Sequence, residues 1–181
     1  MTTESDSMSN GASAGTKTTT RQREDRFIMI EVNERIEVAS APRTVWDLLS
    51  DPRAVIDCVP GATLGEQHED GSFDATLTVK FGPAKVTFKA KVALEMDPAT
   101  MTGRVDAKGR DNQGGTKVHA KMAFSVEQSQ PQGAAIPIAA HVEISGRLAT
   151  LVESGANFVV KRMTSEFTER VAARCAGAAP A

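Results

Sequence analysis

The chain has 181 residues, 40% hydrophobic and 24% charged, with a net charge of -2 at pH 7, which is enough for one domain with a self-sufficient core. That balance, with aromatics at 4% and no tyrosine, excludes the basic surface and stacking platforms used to bind nucleic acid. No apolar run is long enough to span a bilayer, and the start of the chain lacks the apolar core of a signal peptide, so the expected location is the cytoplasm.

Residues 1–26 are rich in Ser, Thr, Gly and charge and read as a disordered tail; the domain is expected over 27–176, with a short tail over 177–181. Phe27 to Val38 supplies a first strand. Ser40 followed by Pro42 is a helix start, an N-cap with proline in the first turn, and Asp51-Pro52 repeats the device for a second short helix ending at Cys58. The period then changes to two. Phe73, Ala75, Leu77 and Val79 alternate with Asp74, Thr76, Thr78 and Lys80, and Ala84 to Met96, Met101 to Lys108, Val118 to Val126 and Ile136 to Ile144 continue as strands. Asp70-Gly71, Gly82-Pro83, Asp97-Pro98, Gly114-Gly115 and Gln128 to Gly133 are the turns of an antiparallel meander. Leu148 to Cys175 closes the chain as a proline-free amphipathic helix with Leu148, Leu151, Val152, Gly155, Val159, Met163, Phe167 and Val171 on one stripe. Such a stripe has to be buried, and a curved sheet wrapped around the helix buries it.

Strand, two short helices, meander and long C-terminal helix is the order of the helix-grip α+β folds, which include START, Bet v 1 and polyketide-cyclase-like proteins. Within them the chain resembles the CoxG family, the G-subunit family of carbon monoxide dehydrogenase. The residues carrying this are Ser40-Ala41-Pro42-Arg43-Thr44-Val45-Trp46, Leu48-Leu49-Ser50-Asp51-Pro52, Cys58-Val59-Pro60-Gly61-Ala62, Val79-Lys80-Phe81-Gly82-Pro83, Phe88-Lys89-Ala90-Lys91-Val92, Gly155-Ala156 and Phe167. The resemblance implies a non-enzymatic partner of a molybdenum carbon monoxide dehydrogenase, peripherally associated with the inner face of the cytoplasmic membrane.

Parity along the strands directs Phe73, Leu77, Phe88, Val92, Leu94, Val105, Met122, Phe124 and Ile138 toward the helix, where Leu151, Val152, Gly155, Phe158, Val159 and Met163 face them. Each of these residues alone reads as ordinary core. Together with recurrent inward alanine and glycine they leave space unfilled, so the expectation is an internal site for a hydrophobic small molecule. A soluble molybdenum enzyme does not reach a quinone buried in lipid, which makes an isoprenoid quinone such as menaquinone, or another lipid, the expected non-covalent ligand. Glycine in mid-helix costs about 1 kcal/mol, so Gly155 reads as a ligand contact that Gly155→Trp would block. Hairpin counting puts Val59, Pro60, Gly61, Phe81, Gly82 and Pro83 at the mouth, exposing apolar groups. Lys85, Lys89, Lys91, Lys117 and Lys121 face outward as a solubilising or a partner- and membrane-binding surface.

No catalytic machinery is expected. His119 and His141 have outward parity, His68 lies by the Asp70-Gly71 turn, and the strand parities show no inward polar group. Cys58 and Cys175 lack metal spacing and read as free thiols, and no metal site is expected. Two other readings stay open: a ligand-free recruitment or assembly factor for the dehydrogenase, and a cyclase-like enzyme.

Overall fold

The computed structural model describes residues 26–129 and 131–178. The disorder expected for the N-terminal tail therefore falls, except at Arg26, outside the described residues. The elements are β1 (Phe27–Val38), α1 (Pro42–Leu49), α2 (Pro52–Val55), a 3-10 turn (Ile56–Cys58), β2 (Ala62–Gln67), β3 (Phe73–Phe81), β4 (Ala84–Asp97), β5 (Thr102–Asp111), β6 (Thr116–Ser125), β7 (Glu127–Ser129), β8 (Gly133–Gly146) and α3 (Ala149–Ala178). The strands form one antiparallel sheet in the order β1-β8-β6-β5-β4-β3-β2, with β7 paired to β8. This is the helix-grip architecture expected from the sequence, a meander and one long helix held by the sheet. The structure adds that β8 returns beside β1 and that part of the expected Gln128 to Gly133 turn is the short strand β7, paired with the start of β8.

Local chemistry accounts for most boundaries. Asp51 caps α2 by accepting the Arg53 N–H at 3.0 Å, and Pro52 follows in the first turn. At α1 the cap is Ala41 rather than Ser40, with no side-chain cap bond, because Pro42 itself takes the first helical position. Gly61, at φ 76, turns the chain tightly onto the Thr78 carbonyl at the start of β2, where a side chain would collide with backbone. The last helix continues through Gly177 to Ala178, so the short tail expected from 177 begins inside it.

Asp111 joins sheet and helix. It is 5% exposed and accepts the N–H of Thr116 at 2.7 Å and of Gln113 at 3.3 Å. The Thr116 hydroxyl in turn accepts the Leu148 N–H at 2.9 Å, one residue before α3. A buried carboxylate is tolerable there because backbone donors satisfy it.

The helix runs alongside β1 in the same direction. Arg26 pairs with Glu153 at 2.6 Å at one end, and Val38 shares a core with Val171 and Cys175 at the other. It also meets β3 near Phe81, while it stands off β4, β5 and β6. The buried core accordingly divides in two. One cluster joins Trp46, Leu49, Ile36, Ile136 and Val171, with Phe124, Ile138 and Phe167 packed on it. The second joins Ile28, Val79, Phe81, Val86, Ile144 and Val152 at the start of the helix.

An apolar groove as the candidate functional site

Between the clusters lies a strip of sheet that neither contains. Cross-strand register sets Val32, Ala140, Met122, Val105 and Leu94 side by side from β1 to β4, with Ala120, Ala107 and Val92 in the adjoining row. These side chains face α3 yet are only half-buried, and Met122 is 37% exposed. The reason is geometric. The helix rests on β1 and near Phe81, and the alanines at 107, 120 and 140 are too short to fill the gap above β5, β6 and β8. The result is a half-buried apolar strip of sheet on the helix side, here called the groove, with packed core at either end.

Of the expected ligand contacts, Val92, Leu94, Val105 and Met122 form the floor. Phe124 and Ile138 pack on the Trp46 cluster and make one end wall. Leu77, Phe88, Leu151, Val152 and Val159 belong to the other. Phe73 is buried at 7% beside Val92, and Met163 is half-buried on the helix. Phe158 is 67% exposed; it shares a helical strip with Leu151 and Gly155, which puts its ring at the rim.

Two expectations are corrected by the structure. Phe81, expected to expose its ring at the mouth, is 8% exposed, whereas Gly82 and Pro83 are exposed and Val59 and Pro60 half-buried around exposed Gly61. Its ring fills the space beside Gly155: a Cβ there would lie 2.8 Å from Phe81 Cδ1. Gly155 thus serves helix-to-sheet packing, and Gly155→Trp would disrupt that contact rather than fill a cavity. The second correction concerns polarity. Glu34 has the same parity as Val32 and Ile36, lies opposite Ile138 and is half-buried toward the helix, and Asp111 also faces inward. Asp111 is satisfied by backbone, but among the described residues Glu34 has no hydrogen-bond or ion-pair partner. The alternation of β1 already carries this signal.

His119 and His141 face outward, as their parity predicts, and His68 lies in the turn between β2 and β3. His119 meets Asp106 at 3.1 Å, and His141 lies between Glu31 and Glu143 at 3.8 and 3.5 Å. His68 contacts Asp74 at 2.8 Å, and that hydrogen bond raises its pKa above the ordinary 6.5. Any stabilisation from the pair is complete below pH 6.5 and lost as pH rises through the raised value. In an NMR titration His68 is expected to titrate above 6.5, and Asp74→Asn to return it toward 6.5; an unmoved His68 would show the contact absent in solution. Burial pushes the thiols of Cys58 and Cys175 above their ordinary values, which keeps both protonated and unreactive at neutral pH. Among the described residues no group of three His, Cys, Asp or Glu could hold a metal ion.

The expected lysines are exposed on the outer face. Lys91 is paired with Asp70 at 3.0 Å. The hydroxyl and N–H of Ser72, with Lys91, hold the Asp70 carboxyl well below the usual carboxylate range. Lys121 sits in a depression of about 510 Å³ with Glu31, Glu95, Asp106 and His141, a mixed-charge setting. Lys89 and Lys117 line a second depression together with Lys108 and Arg110, two cations outside the set expected from the sequence.

A curved antiparallel sheet gripping one helix above an apolar groove defines a helix-grip, START-like domain. A conserved protein from Geobacillus kaustophilus has a similar structure, with a TM-score of 0.71 at 19% identity over 82% of this chain and 96% of that one. Zhui aromatase/cyclase from Streptomyces sp. R1128 aligns with a TM-score of 0.55 at 16% identity, covering 82% and 94%. Norcoclaurine synthase from Thalictrum flavum aligns at 0.52 and 13% identity, covering 94% and 96%. At these identities the likeness concerns the fold alone, and no curated protein matches the chain in sequence. The family model for the carbon monoxide dehydrogenase G-subunit (CoxG) matches residues 35–176, and the chain belongs to that family.

Proposed function

We propose that the protein is a non-enzymatic accessory of a molybdenum carbon monoxide dehydrogenase that holds a hydrophobic ligand, best an isoprenoid quinone, in the groove. It thereby links the enzyme to the cytoplasmic membrane and the respiratory chain. The observation that carries this reading is the half-exposed apolar floor between two packed clusters, since a solid core would leave no such strip. An apolar lining with few polar groups suits a lipid-like body. Glu34 is then the polar partner, a carboxylate that accepts a hydrogen bond from a hydroxylated headgroup such as a quinol. No helix among the described residues is long and apolar enough to cross a membrane, so membrane contact would be peripheral.

Organic extraction of protein purified from its host, followed by mass spectrometry, tests the reading. A stoichiometric isoprenoid quinone or lipid is the expected result. An empty extract, together with no uptake of added menaquinone, would reject the carrier and leave a ligand-free recruiter. Glu34 is the one observation that favours a cyclase-like enzyme instead, because an inward carboxylate is where general acid-base chemistry would begin. Recovery of a chemically altered ligand after incubation would mark that outcome.

A further inference from the structure

We propose that the outer face of the sheet carries a docking surface for an acidic polypeptide segment, centred on the cross-strand row Lys89, Arg110 and Lys117. Register places Lys89 directly opposite Arg110 and Arg110 directly opposite Lys117, with Lys91 opposite Lys108 in the next row. Like charges directly opposite destabilise a sheet. Other cations are paired in part: Arg26 with Glu153, Arg35 with Glu127, Arg43 with Asp47, Lys91 with Asp70 and Arg174 with Asp57, whereas Lys80 and Lys85, opposite each other on β3 and β4, form a second group, unpaired among the described residues but smaller. Among the described residues Lys89, Lys108, Arg110 and Lys117 have no acidic partner within 4.0 Å. Four cations gathered on neighbouring strands at a cost to the fold are explained by an anionic occupant.

The shape indicates which one. The row lines a depression of about 480 Å³ that continues past Ser145 to Phe27, which is 54% exposed at the sheet edge; His119 and one carboxylate, Glu143, also line it, against four cations. From Lys89 on β4 to Phe27 on β1 is four strand spacings, roughly 19 Å. An extended polypeptide covers that distance in about six residues, with carboxylates over the cations and an apolar side chain against Phe27. A single phosphate would span one pair, and a flat bilayer would touch the rim rather than the floor. This surface is separate from the groove, and its test does not depend on what the groove holds.

The test is fluorescence polarisation with the full chain and a labelled peptide of six glutamates followed by leucine, against a glycine-serine control. The acidic peptide is expected to bind and the control not, with binding lost as salt screens the row. Arg110→Thr is expected to weaken binding by about tenfold. Its melting temperature is expected to be unchanged or higher, because the substitution relieves repulsion on both sides. The proposal is overturned if the acidic peptide does not bind, if Arg110→Thr binds it equally well, or if that variant melts lower. It is equally overturned if the protein ignores the peptide but sediments with phosphatidylglycerol vesicles through the same residues, which would make the row a lipid surface.

Discussion

Trp46→Ala is expected to destabilise the domain by about 4 kcal/mol, the range found when a large buried aromatic is truncated. Trp46 is 2% exposed and sits 6.3 Å, centroid to centroid, from Phe124. It packs among Ile36, Cys58, Ile136 and Val171, all buried, so no neighbour can relax into the space left behind. The loss also falls on α1, eight residues long and without a side-chain cap, which is held by the burial of Val45, Trp46 and Leu49 rather than by its own propensity. Domains of this kind are stable by roughly 5–15 kcal/mol, so the variant would be marginal. Urea denaturation followed by far-UV circular dichroism measures the effect. Trp46→Phe, which keeps most of the ring contact, is the comparison and is expected to cost less than half as much. If alanine costs under about 1 kcal/mol, the Trp46 cluster is not what closes that end of the groove.

Ala120→Trp is expected to abolish retention of the proposed hydrophobic ligand while the domain still folds. Ala120 stands in the middle of the groove floor, half-buried, with Ala107 opposite on β5 and Val142 opposite on β8. An indole there lies over Ala107 and occupies the volume a ligand would take. The site is open rather than solidly packed, so the overpacking cost is set at the low end of the range, about 1 kcal/mol. Ligand recovered by extraction should fall at least about 100-fold, the equivalent of roughly 2.7 kcal/mol of binding. Ala123→Trp provides the control: Ala123 is exposed on the outer side of the same strand, and the variant should retain ligand at the parental level. Equal retention in both variants would place the ligand somewhere other than the groove.

The order and type of the elements can be read from local pattern. Alternation over Phe73 to Val79 and Ala84 to Met96 demands strands, proline after Ser40 and at Asp51-Pro52 starts short helices, and a proline-free three-to-four stripe makes the last helix. Each of these signals acts over a few residues and survives in isolation. The inward carboxylate of Glu34 is legible in the same way, because the residue occupies the apolar phase of β1 between Val32 and Ile36.

What the pattern leaves out of reach is set by contacts between distant segments. That Gly155 receives Phe81 depends on how closely α3 approaches the end of β3. That Phe124 and Ile138 become an end wall while Met122, two residues away on the same face, stays 37% exposed depends on where the helix rests. Arg110 and Lys108 join the cationic face only once register aligns them with Lys89, Lys91 and Lys117. The sequence by itself determined the helices, the long strands, their order and most of which faces are apolar, since backbone periodicity and proline or glycine stops are local. The short strands β2 and β7 lack a clear alternation and emerge only from pairing with β3 and β8. Only the tertiary structure decided the open groove and the cationic row. Both depend on register and on the distance between sheet and helix, which are fixed by the sum of packing across the whole domain.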